Sequence, residues 1–152
     1  MLLDISPPAY YFAHFEEVVE ITTMCKNITE TVKVKDYGAT FEKIRLLPAI
    51  APKEEFDKGL WVEEIGFDWK YGYAFIFIRS DFEKYHNSSI EEKQVIMASL
   101  ILEALLRLGK KSRSKLNYKS LIIDVFNCLD EKIKNQLLEE GYHLPKISSQ
   151  LK

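Results

Sequence analysis

The chain has 152 residues, of which 47% are hydrophobic and 29% are charged, and its formal net charge is −2 at pH 7. This composition is that of an ordinary globular protein, and the length is sufficient to bury a core without a metal or a disulfide. Nucleic-acid-binding domains are usually basic, so the slight acidity argues against that class. We expect a single domain over residues 1–152, with peripheral tails at 1–8 and 142–152.

The N-terminal residues and the two cysteines indicate a cytoplasmic protein. Asp4 and two prolines interrupt residues 1–8, which therefore do not resemble a signal peptide. No apolar run is long enough to span a membrane, so no membrane contact is expected. Cys25 and Cys128 are isolated in the sequence, which favours reduced thiols, and a single bridge between them stays open as the alternative.

The first third of the chain favours β-structure. Residues 17–23 are rich in β-branched side chains and read as extended, while residues 7–15 suit either a helix or a strand. Residues 28–35 alternate between apolar and polar side chains, as a half-buried strand does. A turn is predicted at residues 36–38, Asp-Tyr-Gly.

Three further strands are predicted in the middle of the chain. Residues 41–46 alternate and run into two prolines, beginning with Pro48, which should end regular pairing. Residues 61–69 alternate with their odd positions toward the core, except at Glu63. Residues 73–78 are apolar on both faces, which is typical of a central strand, and a tight turn at 70–72 should join these last two strands.

The C-terminal half favours helices. Ser88 with Glu91, or Ser89 with Glu92, forms a capping box that opens a long apolar helix ending at Gly109, a C-terminal cap. A second helix is predicted over residues 117–129. Asp130 should cap a third helix that ends near residue 140. Strands followed by helices predict an α+β fold, with an antiparallel sheet from the N-terminal half packed against two or three C-terminal helices.

Catalytic and metal-binding motifs are weak in this sequence. The three histidines lie far apart without metal-ligand spacing, and no nucleophile elbow or glycine-rich phosphate loop occurs. We therefore predict no catalytic residue, no metal site and no cofactor. The best enzymatic alternative is a magnesium-dependent nuclease, in which Asp57 and Asp68 would hold the metal and Lys70 would activate water.

Acidic and aromatic residues concentrate around the two central strands. Residues 53–92 carry ten acidic and five basic side chains. Aromatic anchors beside carboxylates are typical of an interface with a basic protein partner, although tryptophan and tyrosine also fill cores while acids keep a surface soluble. The candidate partner-binding residues are Glu63, Glu64, Asp68, Trp69, Tyr71, Asp81 and Glu83.

Three stretches resemble a family of bacterial polymorphic-toxin immunity proteins, the one called immunity protein 39. They are FEKIRLLP at 41–48, FDKGLWVEEIGFD at 56–68 and FIFIRSDFEKY at 75–85. The resemblance implies a small cytoplasmic α+β domain that is not an enzyme and that binds and blocks a cognate toxin. It supplies no binding residues of its own.

The leading hypothesis is therefore an immunity protein that neutralises a cognate toxin by occlusion. The partner would be the toxin domain, with a basic surface toward the acidic residues, and no nucleic acid is expected. A non-enzymatic adaptor or scaffold domain is a further alternative beside the nuclease. The sequence leaves open the chemistry of the toxin and the oligomeric state.

Overall fold

A computed structural model describes residues 2–5, 9–10, 18–51, 62–81, 84–85, 87–111 and 114–146. Its strands are β1 (Leu2–Ile5), β2 (Ala9–Tyr10), β3 (Lys43–Ala51), β4 (Val62–Asp68) and β5 (Tyr73–Asp81). Its helices are α1 (Val19–Lys33), α2 (Ile90–Gly109), α3 (Tyr118–Asn127) and α4 (Glu131–Glu139). The α+β class and the three C-terminal helices are confirmed.

The sheet is mixed and mostly parallel, so the prediction of an antiparallel sheet is wrong. Its strand order is β1-β3-β5-β4, and the short β2 also pairs with β3. β3 is parallel to β1, β2 and β5, whereas β4 and β5 form an antiparallel hairpin. For β1 and β3 the reason is α1, which lies between them in the chain, because a helical crossover returns the chain to the same end of the sheet. β3 and β5 are parallel because the strand between them in the chain, β4, runs in the opposite direction and takes the edge beyond β5.

Helix α1 replaces residues 19–23 of the extended structure predicted for 17–23, and residues 28–33 of the strand predicted for 28–35. Its buried residues recur with helical spacing, and they are Ile21, Met24, Cys25, Ile28 and Val32. The hydroxyls of Thr22, Thr29 and Thr31 each donate to the carbonyl oxygen four residues earlier. These bonds are a known way for threonine to sit inside a helix, and burial of one helical face outweighs β-propensity here.

Strand β3 continues through Pro48, so the prediction that the prolines end regular pairing is wrong at this position. On one side, Pro48 is in register with Ile78 of β5. On the other side, β1 pairs with residues 43–46 and β2 with residues 49–50. The proline, which lacks an amide hydrogen, thus falls between the two paired stretches. Of residues 7–15, which the sequence left open, only 9–10 are described, as β2.

The β4–β5 hairpin is confirmed, and β5 is central between β3 and β4 as predicted. Val62 is in register with Ile78, and Glu64 with Phe77, so Glu63 is one extra residue in β4. This β-bulge explains why Glu63 breaks the alternation of the strand. Ile65 and Phe67 are partly buried against the core, as the alternation predicted.

The long helix α2 starts at the capping box of Ser89 and Glu92, one of the two predicted pairs. Gly109 is its last residue rather than its cap, which is Lys110. A Cβ at Gly109 would lie 2.1 Å from the Cβ of Tyr118, so the close approach of α3 explains the glycine. Asp130 is the N-cap of α4, but its side chain makes no capping hydrogen bond.

The core lies between one face of the sheet and the helices. Leu3, Ile44, Leu46, Ala74 and Ile76 cover that sheet face and are fully or almost fully buried. Helices α1 and α2 pack on this side, and α3 and α4 pack against α2. In the described part of the chain, no helix covers the opposite face, which we call the open face.

Candidate functional site

The turn between β4 and β5 is organised by Asp68. Its carboxylate Oδ1 accepts a hydrogen bond from the backbone N–H of Tyr71, at 3.2 Å. Gly72 has a φ of +73°, a conformation that glycine adopts without steric cost. The Gly72 carbonyl accepts from the N–H of Glu42, at 2.8 Å, which fixes the turn against the start of β3. The predicted tight turn is confirmed, and Asp68 has a structural role in it.

Two large aromatic side chains project from this turn. Trp69 is 46% exposed and Tyr71 is 67% exposed. The Trp69 ring stacks on Phe67, at 5.0 Å between centroids, and Phe67 packs against the core. The Tyr71 ring stacks on Tyr73, at 6.5 Å, and Tyr73 alternates with the buried Ala74. The two exposed rings therefore flank the turn, with Trp69 toward the helical side and Tyr71 toward the open face.

The remaining predicted residues lie away from the turn. Glu63 and Glu64 are at the start of β4, beside the bulge, and Asp81 is the last residue of β5. Asp81 is eight residues beyond Tyr73, the partner of Asp68, which is about 26 Å along an extended strand. Glu83 lies outside the described residues. The structure brings together Asp68, Trp69 and Tyr71, while Asp81 is at the far end of the hairpin.

A group of charged side chains on the open face was missed by sequence reasoning. Asp4 Oδ2 lies 3.5 Å from Lys43 Nζ and 3.5 Å from Arg45 Nε. The Arg45 guanidinium is also above the Tyr73 ring, at 5.9 Å from its centroid. We call Asp4, Lys43, Arg45 and Tyr73 the Arg45 cluster. The alternation of Lys43 and Arg45 with buried Ile44 and Leu46 carried the signal for it.

The charge around the turn is mixed rather than uniformly acidic. Asp68 and Glu42 contribute carboxylates, while Lys43 and Arg45 come from the neighbouring β3. Lys70 adds a further cation above the Tyr71 ring, with its Nζ at 5.4 Å from the centroid. The described end of the hairpin therefore offers aromatic surface with both signs of charge close by.

The described residues form no candidate metal site beside the hairpin turn and the Arg45 cluster. No three His, Cys, Asp or Glu side chains in these ranges come together in a way that could hold a metal ion. Asp57, a member of the nuclease hypothesis, lies outside the described residues, whereas Lys70 is exposed in the turn. Cys25 and Cys128 are free thiols, and burial raises the pKa of Cys25 to about 12. Within the described helices, none has both the length and the apolar composition needed to cross a membrane.

Comparison with known protein families shows the family of the chain. The family model described as immunity protein 44 matches residues 1–131. The chain belongs to the immunity protein 44 family. No curated protein and no solved structure matches it significantly. The resemblance to immunity protein 39 therefore named the wrong family. The broader assignment to polymorphic-toxin immunity proteins is correct.

Family membership implies a cognate toxin as partner and, since immunity proteins are typically not enzymes, supports a binding function. The match includes β1–β5, the whole of the Arg45 cluster and the hairpin turn. It assigns no binding residue and no mechanism. The surface that contacts the toxin must be argued from the geometry.

Proposed function

We propose that the chain neutralises its cognate toxin by direct binding that occludes the toxin active site, and that the β4–β5 hairpin supplies the contact. The main supporting observation is the exposure of Trp69 and Tyr71 on a turn that two hydrogen bonds hold in place. Tryptophan and tyrosine dominate the binding energy of protein interfaces, because they bury a large area with few rotatable bonds.

The hairpin is suited to this role by its position. β4 is an edge strand of the described sheet, and the turn that follows it exposes Trp69 and Tyr71. The hydrogen bond from Tyr71 to Asp68 and the bond from Glu42 to Gly72 hold the turn in place. A preorganised loop loses less conformational entropy on binding than a mobile one.

The proposed function is tested first by co-expression with the adjacent gene product, the expected toxin. The chain should restore growth to cells that produce the toxin, and purified chain should inhibit the toxin at a 1:1 ratio. If the toxin stays active with a saturating amount of the chain, neutralisation by occlusion is wrong.

The acidic part of the surface is tested by charge reversal. Glu63→Lys with Glu64→Lys should weaken the complex by at least tenfold in Kd, since like charges across an interface are repulsive. Circular dichroism of the free variant checks that the domain still folds. Asp68→Asn is the companion variant, because asparagine keeps an oxygen that can accept from Tyr71 while it removes the charge. Unchanged affinity in both variants would move the interface away from β4.

A further inference from the structure

The Arg45 cluster is under-neutralised in the free protein. One oxygen of Asp4 serves two cations, Lys43 and Arg45, at 3.5 Å each. The Nε of Arg45 is inaccessible to solvent and has no hydrogen-bond partner in the described structure, so the contact with Asp4 is an ion pair without hydrogen-bond geometry. The Arg45 side chain as a whole is 41% exposed, so a partner's carboxylate can approach the guanidinium from its exposed part, although not at Nε.

Positive charge continues from this cluster around the edge of the sheet. β1 is the edge strand opposite β4, and a cavity of about 530 Å³ lies between β1 and α1. Lys26, Lys33 and Lys43 line this cavity together with Asp4 and Glu30. With Arg45, the cavity lining and the cluster hold four cations and two carboxylates, and Glu42, the residue before Lys43, adds a third carboxylate nearby. This excess is opposite in sign to the net charge of −2 of the whole chain.

The cluster is continuous with the proposed contact at the hairpin. Tyr71 stacks on Tyr73, and Arg45 lies above Tyr73. On the open face, contacts therefore connect the exposed ring of Tyr71, through Tyr73, to the cation of Arg45. Parallel strands such as β1, β3 and β5 usually have both faces covered in proteins, and no described helix covers this one.

We propose that an acidic segment of the cognate toxin docks across the Arg45 cluster, with a carboxylate of the toxin bound by Arg45 and Lys43. This inference rests on the proposed function and specifies the partner's chemistry at the open face. It adds to the basic toxin surface expected at β4, so that the toxin would present opposite charges to the two sides of the hairpin. A carboxylate there pairs with the exposed part of the Arg45 guanidinium and with Lys43, and it offsets the excess positive charge.

The test is the affinity of the purified toxin domain, from the adjacent gene, for the full chain and its variants. Arg45→Gln and Lys43→Gln each remove one charge and should each raise Kd about tenfold or more, within the range for charged contacts at an interface. Lys132→Gln removes an exposed charge on α4 and should change Kd less than twofold. Circular dichroism establishes that each variant is folded, and Lys43→Gln serves as the second variant if Arg45→Gln is not.

The internal carboxylate gives a prediction of opposite sign. Asp4→Asn removes the anion that competes for Arg45 and Lys43, so Kd should stay equal or become smaller. A Kd more than threefold larger in Asp4→Asn would mean that Asp4 itself binds a cationic group of the toxin, and would overturn the proposal.

The other outcomes are separable. If the Gln variants of Arg45 and Lys43 bind like the wild type while Tyr71→Ala does not, the open-face proposal is wrong and the hairpin contact stands. If the wild type does not bind the toxin at all, the proposed function and this inference both fail. Binding of a single-stranded RNA oligonucleotide by the wild type, lost in Arg45→Gln, would assign the cluster to nucleic acid and overturn the proposal.

Discussion

Replacement of Tyr71 by alanine is the most direct test of the proposed hairpin contact. The side chain is 67% exposed in the free protein. An aromatic side chain of about 200 Å² would therefore have about 130 Å² left to bury against a partner. At about 25 cal/mol per Å², complete burial is worth about 3 kcal/mol, which is an upper limit because the hydroxyl is polar. This limit corresponds to a factor of about 100 in Kd.

We expect Tyr71→Ala to raise Kd for the toxin by tenfold to 100-fold, as measured by calorimetric titration. Trp69→Ala has a similar limit, since about 46% of the larger indole is exposed, but it also removes the stack on Phe67 and should lower the stability of the free domain. Leu138 is 50% exposed on α4 and provides the matched control, because Leu138→Ala removes apolar surface far from the hairpin in sequence. Wild-type affinity in Tyr71→Ala would refute the reasoning. A loss of affinity in Leu138→Ala would in addition place the interface on the helical layer.

Three further predictions concern the fold that supports the site. Gly109→Ala should lower the free energy of unfolding by about 1–2 kcal/mol, because overpacking against Tyr118 outweighs the helix propensity of alanine. Urea denaturation measures this change, and a higher urea midpoint would contradict the close approach. Tyr37→Phe should cost about 1–3 kcal/mol, because it removes the 2.6 Å hydrogen bond to the Asp124 carboxylate, and the same denaturation assay should show no loss if that bond is unimportant. Cys25 should react slowly with Ellman's reagent at pH 8, because its native pKa is about 12, with Cys25→Ala as control. Since that thiol ionises near 9.0 when unfolded, its contribution to the free energy of unfolding should fall as the pH rises from 9 to 12, and rapid native labelling would contradict its burial.

The C-terminal helices were predictable because residues close in sequence determine where each helix begins. Ser89 and Glu92 form a capping box, and Asn117 accepts a hydrogen bond from the N–H of Ser120 at the start of α3. Such signals depend on neighbours within one turn of helix. The hairpin was predictable for the same reason, since the turn chemistry at Asp68 and Gly72 is local.

Helix α1 was missed because its β-branched residues satisfy two patterns at once. Residues such as Ile21, Ile28 and Val32 suit a strand by type and a helix by spacing, and only packing on the sheet decides between the two. The error then carried over to the topology. Without a helix between β1 and β3, nothing in the sequence indicated parallel strands.

The candidate site was predicted in part. The exposed aromatics and the carboxylate at the turn were identified from composition near the strands. The Arg45 cluster was not, because it joins Asp4 to residues about forty positions later through the parallel pairing of β1 and β3. A contact of this kind depends on register, and register depended on the topology that the sequence left unspecified.

The bulge at Glu63 also affects how copies of this chain meet one another. An edge strand has unpaired backbone N–H and C=O groups that a strand of another molecule can bind. Natural proteins protect such edges with irregular backbone and charged residues. β4 carries both, since its extra residue interrupts the register and is followed by Glu64. A second β4 could therefore extend regular pairing only along the part of the strand after the bulge. The edge beside the proposed toxin contact is thereby guarded against self-association.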